Sequence, residues 1–257
     1  MTGMGGDPLA FSVYGDDAIP GLPWRRHTVD DSSIGADGVR LRDVNGDGLP
    51  DIATGWEEGN IVRAYLHPGI GRVRERWPAV TVRQVGSPEN VVFADLDGSG
   101  RLDVVSSCEG RVRTMFVHWA PADPDRYLEP QSWTTEPIPA SQGVTAWMFC
   151  QPMELDGRNG IGLVAGSKNP HGVIGWFGSP RDPRDLARWS WHPLFEATWV
   201  MSLIAADMDG DGDLDILASD RKTDFVGRPG VLERSQSHRG PISSLIPGVG
   251  FADAAGA

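Results

Sequence analysis

Apolar and polar positions alternate along this chain in short bursts, not in helical stripes. Runs at 39–44, 91–96, 147–155 and 200–208 each lead into an Asp/Gly-rich stretch, and a second run follows each stretch, at 51–54, 103–106, 161–165 and 215–218. These runs are short, rich in β-branched residues and bounded by Gly or Asp, which predicts strands. A third run follows at 61–66, 112–119 and 173–177, and a fourth at 80–85, 133–138 and 189–194. No stretch sustains a helical period. The pattern predicts an all-β chain built from units of four antiparallel strands, the make-up of a β-propeller blade.

The stretch between the first and second strands repeats in sequence as well as in pattern. It reads Asp43-Val44-Asn45-Gly46-Asp47-Gly48-Leu49-Pro50-Asp51, returns at 95–103 and 207–215, and has a worn copy at 154–162. The copies start at 43, 95, 154 and 207, intervals of 52, 59 and 53 residues. A fixed period of this size marks an array of like units. Oxygen ligands at alternate positions of a tight turn converge on one hard cation, and Ca²⁺ takes six to eight of them. The candidate metal ligands are Asp43, Asn45, Asp47, Leu49 (by its carbonyl) and Asp51 in the first loop. In the second they are Asp95, Asp97, Ser99, Arg101 (by its carbonyl) and Asp103, and in the last Asp207, Asp209, Asp211, Asp213 and Asp215. Five Asp within nine residues repel one another unless a cation sits among them. Three Ca²⁺ sites are expected, with Mg²⁺ as the other hard cation. The worn loop puts Arg158 and Gly162 where Asp is needed, and its guanidinium is the expected stand-in for the cation. An EF-hand is excluded: that loop needs Glu at position 12, where Thr54, Ser106 and Ala218 stand.

The segments Arg42-Asp43 to Ile52-Ala53, Phe93 to Val105 and Ala205 to Leu217 resemble FG-GAP/VCBS repeats, the blades of calcium-binding propellers of the integrin-α type. The resemblance covers roughly 24–222. It implies a ring of seven blades, exported proteins and calcium in a structural role. It also extends in architecture to the propeller part of a fungal sugar lyase. A seven-bladed ring needs roughly 380 residues at this period, and this sequence has 257. The expected organisation is an N-terminal extension at 1–23, blades over 24–225 and an irregular tail at 226–257. Three blades read as complete, and a fourth shows two clear strands before Gly/Pro/Ser/Ala-rich sequence takes over. The simpler account is a fragment of the ring, truncated or frame-shifted. The other is a strand at 24–29 that closes onto the fourth blade to give a four-bladed ring.

Composition changes this picture little. The net charge is −12, but 11 of the 35 acidic residues belong to the three good loops. Three bound Ca²⁺ would leave about −6. No basic stripe is present, so nucleic acid is not an expected partner, and no apolar run approaches a membrane span. The first residues lack the basic start and apolar core of an export signal, whereas calcium loops of this kind favour an extracellular or periplasmic setting. Cys108 and Cys150 fall on neighbouring blades; two separate small buried residues are the favoured reading and a disulfide between them the other.

Strand connectivity puts the metal loops on one face of the array. The opposite face gathers the second-to-third connections, which supply the ligand-binding candidates: Trp56, Glu57, Glu58, Glu109, Lys168, Asp220, Arg221 and Lys222. Crossings between blades add Glu89, Asn90, Gln142, Trp147 and Trp199. A ring of Trp, carboxylates and cations suits a sugar or a protein surface. The remaining Trp recur at strand positions and are expected to pack between blades. No catalytic motif of the nucleophile-elbow, zinc-protease or phosphate-loop type occurs. The leading expectation is a monomeric, non-catalytic binding or adhesion module. The alternative is a sugar lyase drawing its acid and base from Glu57, Glu58, Glu109 and Lys168.

Overall fold

In a computed structural model the described residues are 25–155, 157, 159–168, 171–208, 210, 212–221, 229–233 and 244–245. They form four antiparallel sheets of four strands each, in up-and-down order. The first blade holds β1 (Ala36–Arg42), β2 (Asp51–Trp56), β3 (Ile61–Tyr65) and β4 (Ala79–Gln84). The second holds β5 (Pro88–Ala94), β6 (Asp103–Cys108), β7 (Thr114–Trp119) and β8 (Thr134–Pro137). The third holds β9 (Ala146–Met153), β10 (Gly162–Lys168), β11 (Val173–Gly178) and β12 (Ser190–Glu196). The fourth holds β13 (Val200–Ala206), β14 (Asp215–Asp220), β15 (Pro229–Glu233) and β16 (Ser244–Leu245). Among the described residues the only helices are single 3₁₀ turns. The fourth blade thus has two strands beyond the pair read from its sequence, because β15 and β16 lie past the point where alternation fades. The strand expected at 24–29 does not form over residues 25–28; Trp24 lies outside the described residues.

The blades stack in chain order through their first strands, β1 on β5, β5 on β9 and β9 on β13, each first strand also meeting the second strand of the blade before it. No comparable contact joins β13 to β1, so the four blades do not close on themselves.

Three apolar clusters fill the three blade-to-blade interfaces. Ala53, Val62 and Val80 of the first blade meet Val91, Phe93 and Val104 of the second. Val92, Leu96 and Val105 meet Trp147, Cys150 and Leu163, and Met153, Leu155 and Val164 meet Val200, Leu203 and Ile216. Successive residues of a strand therefore serve the two interfaces in turn, except where a register shift breaks the alternation. Trp119, Trp133, Trp147 and Trp189 are buried here, and each indole N–H is satisfied, by Glu136 (2.7 Å), Tyr127 O (2.9 Å), Ser141 O (2.9 Å) and Pro183 O (2.9 Å). Cys108 and Cys150 are both free thiols in this core. His118 is fully buried between Ser106 (2.9 Å) and Thr135 (2.8 Å), and burial pushes its imidazole down to about 3, so it is a neutral core residue.

One irregularity recurs. The ladder between first and second strands shifts register near the axial end in every blade, at Asp37/Arg40, Pro88/Asn90, Gly166/Ser167 and Val200/Ser202. Such bulges re-aim a side chain, and in the second blade the residue inside the shift is Glu89.

Candidate functional site: the Asp-rich loops and the axial cluster

Each Asp-rich loop is held by two of its own carboxylates, which do different things. The first Asp organises the turn. Asp43 accepts from the backbone N–H of Gly46 (2.7 Å) and Gly48 (2.8 Å), Asp95 from Gly100 (2.9 Å), and Asp207 from Gly210 (2.7 Å) and Gly212 (3.1 Å). These bonds hold the Asp43 carboxyl below its ordinary range. Gly46, Gly48, Gly98, Gly100, Gly210 and Gly212 all take positive φ, between 70° and 93°, which only glycine adopts freely.

The last Asp is a staple. Asp51 accepts from Val44 N–H (2.8 Å) and His67 N–H (2.7 Å), tying the end of β1 to the exit of β3. Asp103 does the same for Leu96 (3.3 Å) and Ala120 (2.8 Å), and Asp215 accepts from Met208 (2.9 Å). Asp51, Asp103 and Asp215 are all buried. Burial pushes the Asp51 carboxyl up, and that of Asp103 up to about 7, against the pull of those hydrogen bonds.

The donors of these loops are hard oxygens, and Asp95 Oδ1 is buried with no hydrogen-bond partner. That combination fits a hard cation. In the second loop a protein cation also enters: Arg184 of the third blade bonds Asp97 Oδ2 (2.8 Å from Nε, 2.7 Å from Nη2) while its guanidinium lies 4.5 Å over the Trp119 ring. Asp209 and Asp211 lie outside the described residues, as do Asp156 and Arg158 of the worn loop. That loop has Gly162 in place of the buried Asp, and there a Cβ would come within 2.7 Å of the Phe177 carbonyl. The third blade has closed the space its staple would occupy.

At the opposite, axial end the blades bring charges together. One oxygen each from Asp37, Glu57 and Glu89 lies within 4.8 Å of the other two. The Glu109 carboxylate lies against Glu57 and Glu89 and raises both by its charge. Lys168 pairs with Glu109 and stands 3.5 Å from Glu89 Oε1. Its ammonium lies 4.8 Å over the Trp199 ring, and the Arg221 guanidinium lies 5.5 Å from the same ring. Burial, and then the neighbouring Glu109, push Glu89 up to about 8; the same two causes raise Glu57. Carboxylates this close share protons, and burial favours the protonated form of Glu89. Below the cluster Asn90 is fully buried, with Oδ1 accepting from Cys150 N–H (3.2 Å) and Nδ2 unpartnered.

Of the expected ligand face, the structure therefore assembles Glu57, Glu109, Lys168 and Arg221. The other candidates stand elsewhere. Trp56 is buried in its blade, its N–H bonded to Tyr65 Oη (3.0 Å), because it is the last residue of β2 and the turn begins only at Glu57. Glu58 is exposed beside Gly35. Asp220 caps the crossing, accepting from Thr198 N–H (3.1 Å) and Trp199 N–H (2.6 Å). Lys222 lies outside the described residues. Gln142 is exposed and Trp147 belongs to the core. Sequence reasoning missed Asp37 and placed Glu89 and Asn90 in a crossing, whereas both lie in β5. Nothing in composition marks the bulge that turns Glu89 inward.

A comparison with curated proteins found no match. The family comparison did: residues 43–106, from the first Asp-rich loop to the middle of β6, match the family model of the FG-GAP-like repeat, a segment that spans the first-blade loop and the start of the second blade.

Proposed function

We propose that this chain is a calcium-stabilised propeller module that binds a carbohydrate at its axial end. The reading is carried by one observation: Glu57, Glu89, Glu109 and Lys168 reach one place from three successive blades. Carboxylates, a protonated Glu89 and an ammonium supply both donors and acceptors for hydroxyl groups, and Trp199 offers a ring face beside them. In the loops, Asp43, Asn45, Asp47 and Asp51, Asp95, Asp97, Ser99 and Asp103, and the series from Asp207 to Asp215 would hold Ca²⁺, with Leu49 and Arg101 adding carbonyls. Its role there is to neutralise crowded carboxylates and tie the first hairpin of each blade. Calorimetric titration with a panel of neutral and acidic oligosaccharides tests the ligand reading. Binding that Lys168→Met abolishes supports it. Binding unchanged by Lys168→Met and Glu109→Gln places the ligand elsewhere, and capture of a protein instead makes the face a protein-docking site.

A second reading is an enzyme of the sugar-lyase class. It is favoured by the adjacency of a proton-holding Glu89 to Glu109 and Lys168, an acid beside a base. β-Elimination at a uronate breaks the C–H bond beside the carboxylate and the C–O bond to the leaving group, and leaves a double bond conjugated to the carboxylate that absorbs in the ultraviolet. Turnover lost in Glu89→Gln would establish this reading, and no absorbance change across the same panel dismisses it.

A further inference from the structure

The two ends of the blade array are unfinished in complementary ways. Val39, Val91, Cys150 and Leu203 each stand four residues before the first acidic residue of their loop. The last three pack onto the preceding blade and are 0%, 0% and 2% exposed, whereas Val39 has no preceding blade among the described residues and is 54% exposed. Two residues further on, Phe93 packs back onto the first blade, and its counterpart Leu41 is 60% exposed. The other end shows the converse. Leu96 and Leu155, one residue into their loops, pack onto the following blade and are 2% and 6% exposed. Their counterpart Met208 is 50% exposed, as is Ile204, the counterpart of the buried Val92.

We propose that a second copy of this chain docks across these ends head to tail, with β1 of one copy on β13 and β14 of the other. The argument is continuity with an interface the chain already builds three times, a first strand laid on the first and second strands of the blade before it. The head offers the residues that perform this packing in the later blades, and the tail offers those that receive it. The outer part of the head face is closed by residues 29–34: Asp30 pairs with Arg63 and accepts from Tyr65 Oη (2.8 Å), and Trp77 N–H bonds Val29 O (3.2 Å). The docking contact is thereby confined to the inner strands, where the internal interfaces are also made. A head-to-tail contact leaves open ends unless it closes. Two copies docking reciprocally leave none, and eight blades is the largest number that propellers usually hold.

Sedimentation velocity on the 257-residue chain, across a range of concentrations, tests this. The expected species has twice the chain mass. Val39→Glu and Met208→Glu change exposed positions of the single copy, so each should keep the parent circular-dichroism spectrum while weakening the dimer by more than about a hundredfold, the effect of an unpaired charge in an apolar contact. A chain that stays monomeric overturns the proposal, its ends then being covered by its own remaining residues or by another protein. A dimer sensitive to one variant only overturns it too, because that dimer joins like ends, and so does one that both variants leave intact.

Discussion

A single carboxylate at the end of each Asp-rich loop does more for the blade than its place in a ligand pattern suggests. Asp103 is buried and satisfies two backbone N–H groups, of Leu96 and Ala120, that have no other hydrogen-bond acceptor among the described residues. Removing it orphans both. Asp103→Ala is expected to lower unfolding free energy by about 2–4 kcal/mol, even without metal, because each buried unpaired donor costs about 1–3 kcal/mol. The exposed Asp47→Ala should change it by less than about 0.5 kcal/mol in chelator. Urea titration of the two variants separates staple from surface ligand. Glu89 gives the second residue-scale expectation. Its folded value of about 8 lies above the ordinary 4.5, so between these values the folded chain keeps a proton that the unfolded chain has lost. The stability it contributes is full below the lower value and drains as pH rises through the upper one. Glu89→Gln should therefore flatten the fall in melting temperature between pH 5 and pH 8 relative to the parent chain, in thermal scans at fixed ionic strength. Parallel slopes in the two proteins would contradict it.

At the scale of elements, the loop and the bulge mark what the sequence makes legible and what it hides. The loops were readable because their chemistry is local: Gly at fixed offsets for positive φ, Asp at alternate positions. The strand pairs beside them were readable from apolar alternation. The bulge was not, since an extra residue in a ladder alters no composition, and it falls at Glu89, which reads as a crossing residue but joins Asp37 and Glu57 in the axial cluster. Arg184 was hidden for another reason. It meets Asp97 from 87 positions away, and no local pattern reports a partner in the next blade. The worn loop makes the same point: its missing Asp is legible, but not the Phe177 carbonyl that fills the gap. Gly162→Ala should accordingly destabilise the fold by about 1–3 kcal/mol through overpacking. A neutral or stabilising effect in urea titration would show that the strand exit can move aside.

The whole molecule is a stack of blades whose two faces have separate duties. Core residues alternate between the interfaces before and after each blade, so the fold propagates by repetition. The acidic residues fall at opposite ends of the blades. Those in the loops are tied to their own backbone, and those at the axial end are tied to one another and to Lys168. Stability should thus depend on cations at one face and on protons at the other. The central claim is that the Asp-rich loops hold calcium. The most direct measurement is the melting temperature of the metal-stripped chain as Ca²⁺ is added, repeated with Asp43→Ala and Asp207→Ala combined. The account expects a rise of several degrees, as for any ligand that binds only the folded state, and a clear loss of that rise in the double variant. A melting temperature that calcium leaves unchanged, or that rises equally in the double variant, would contradict it.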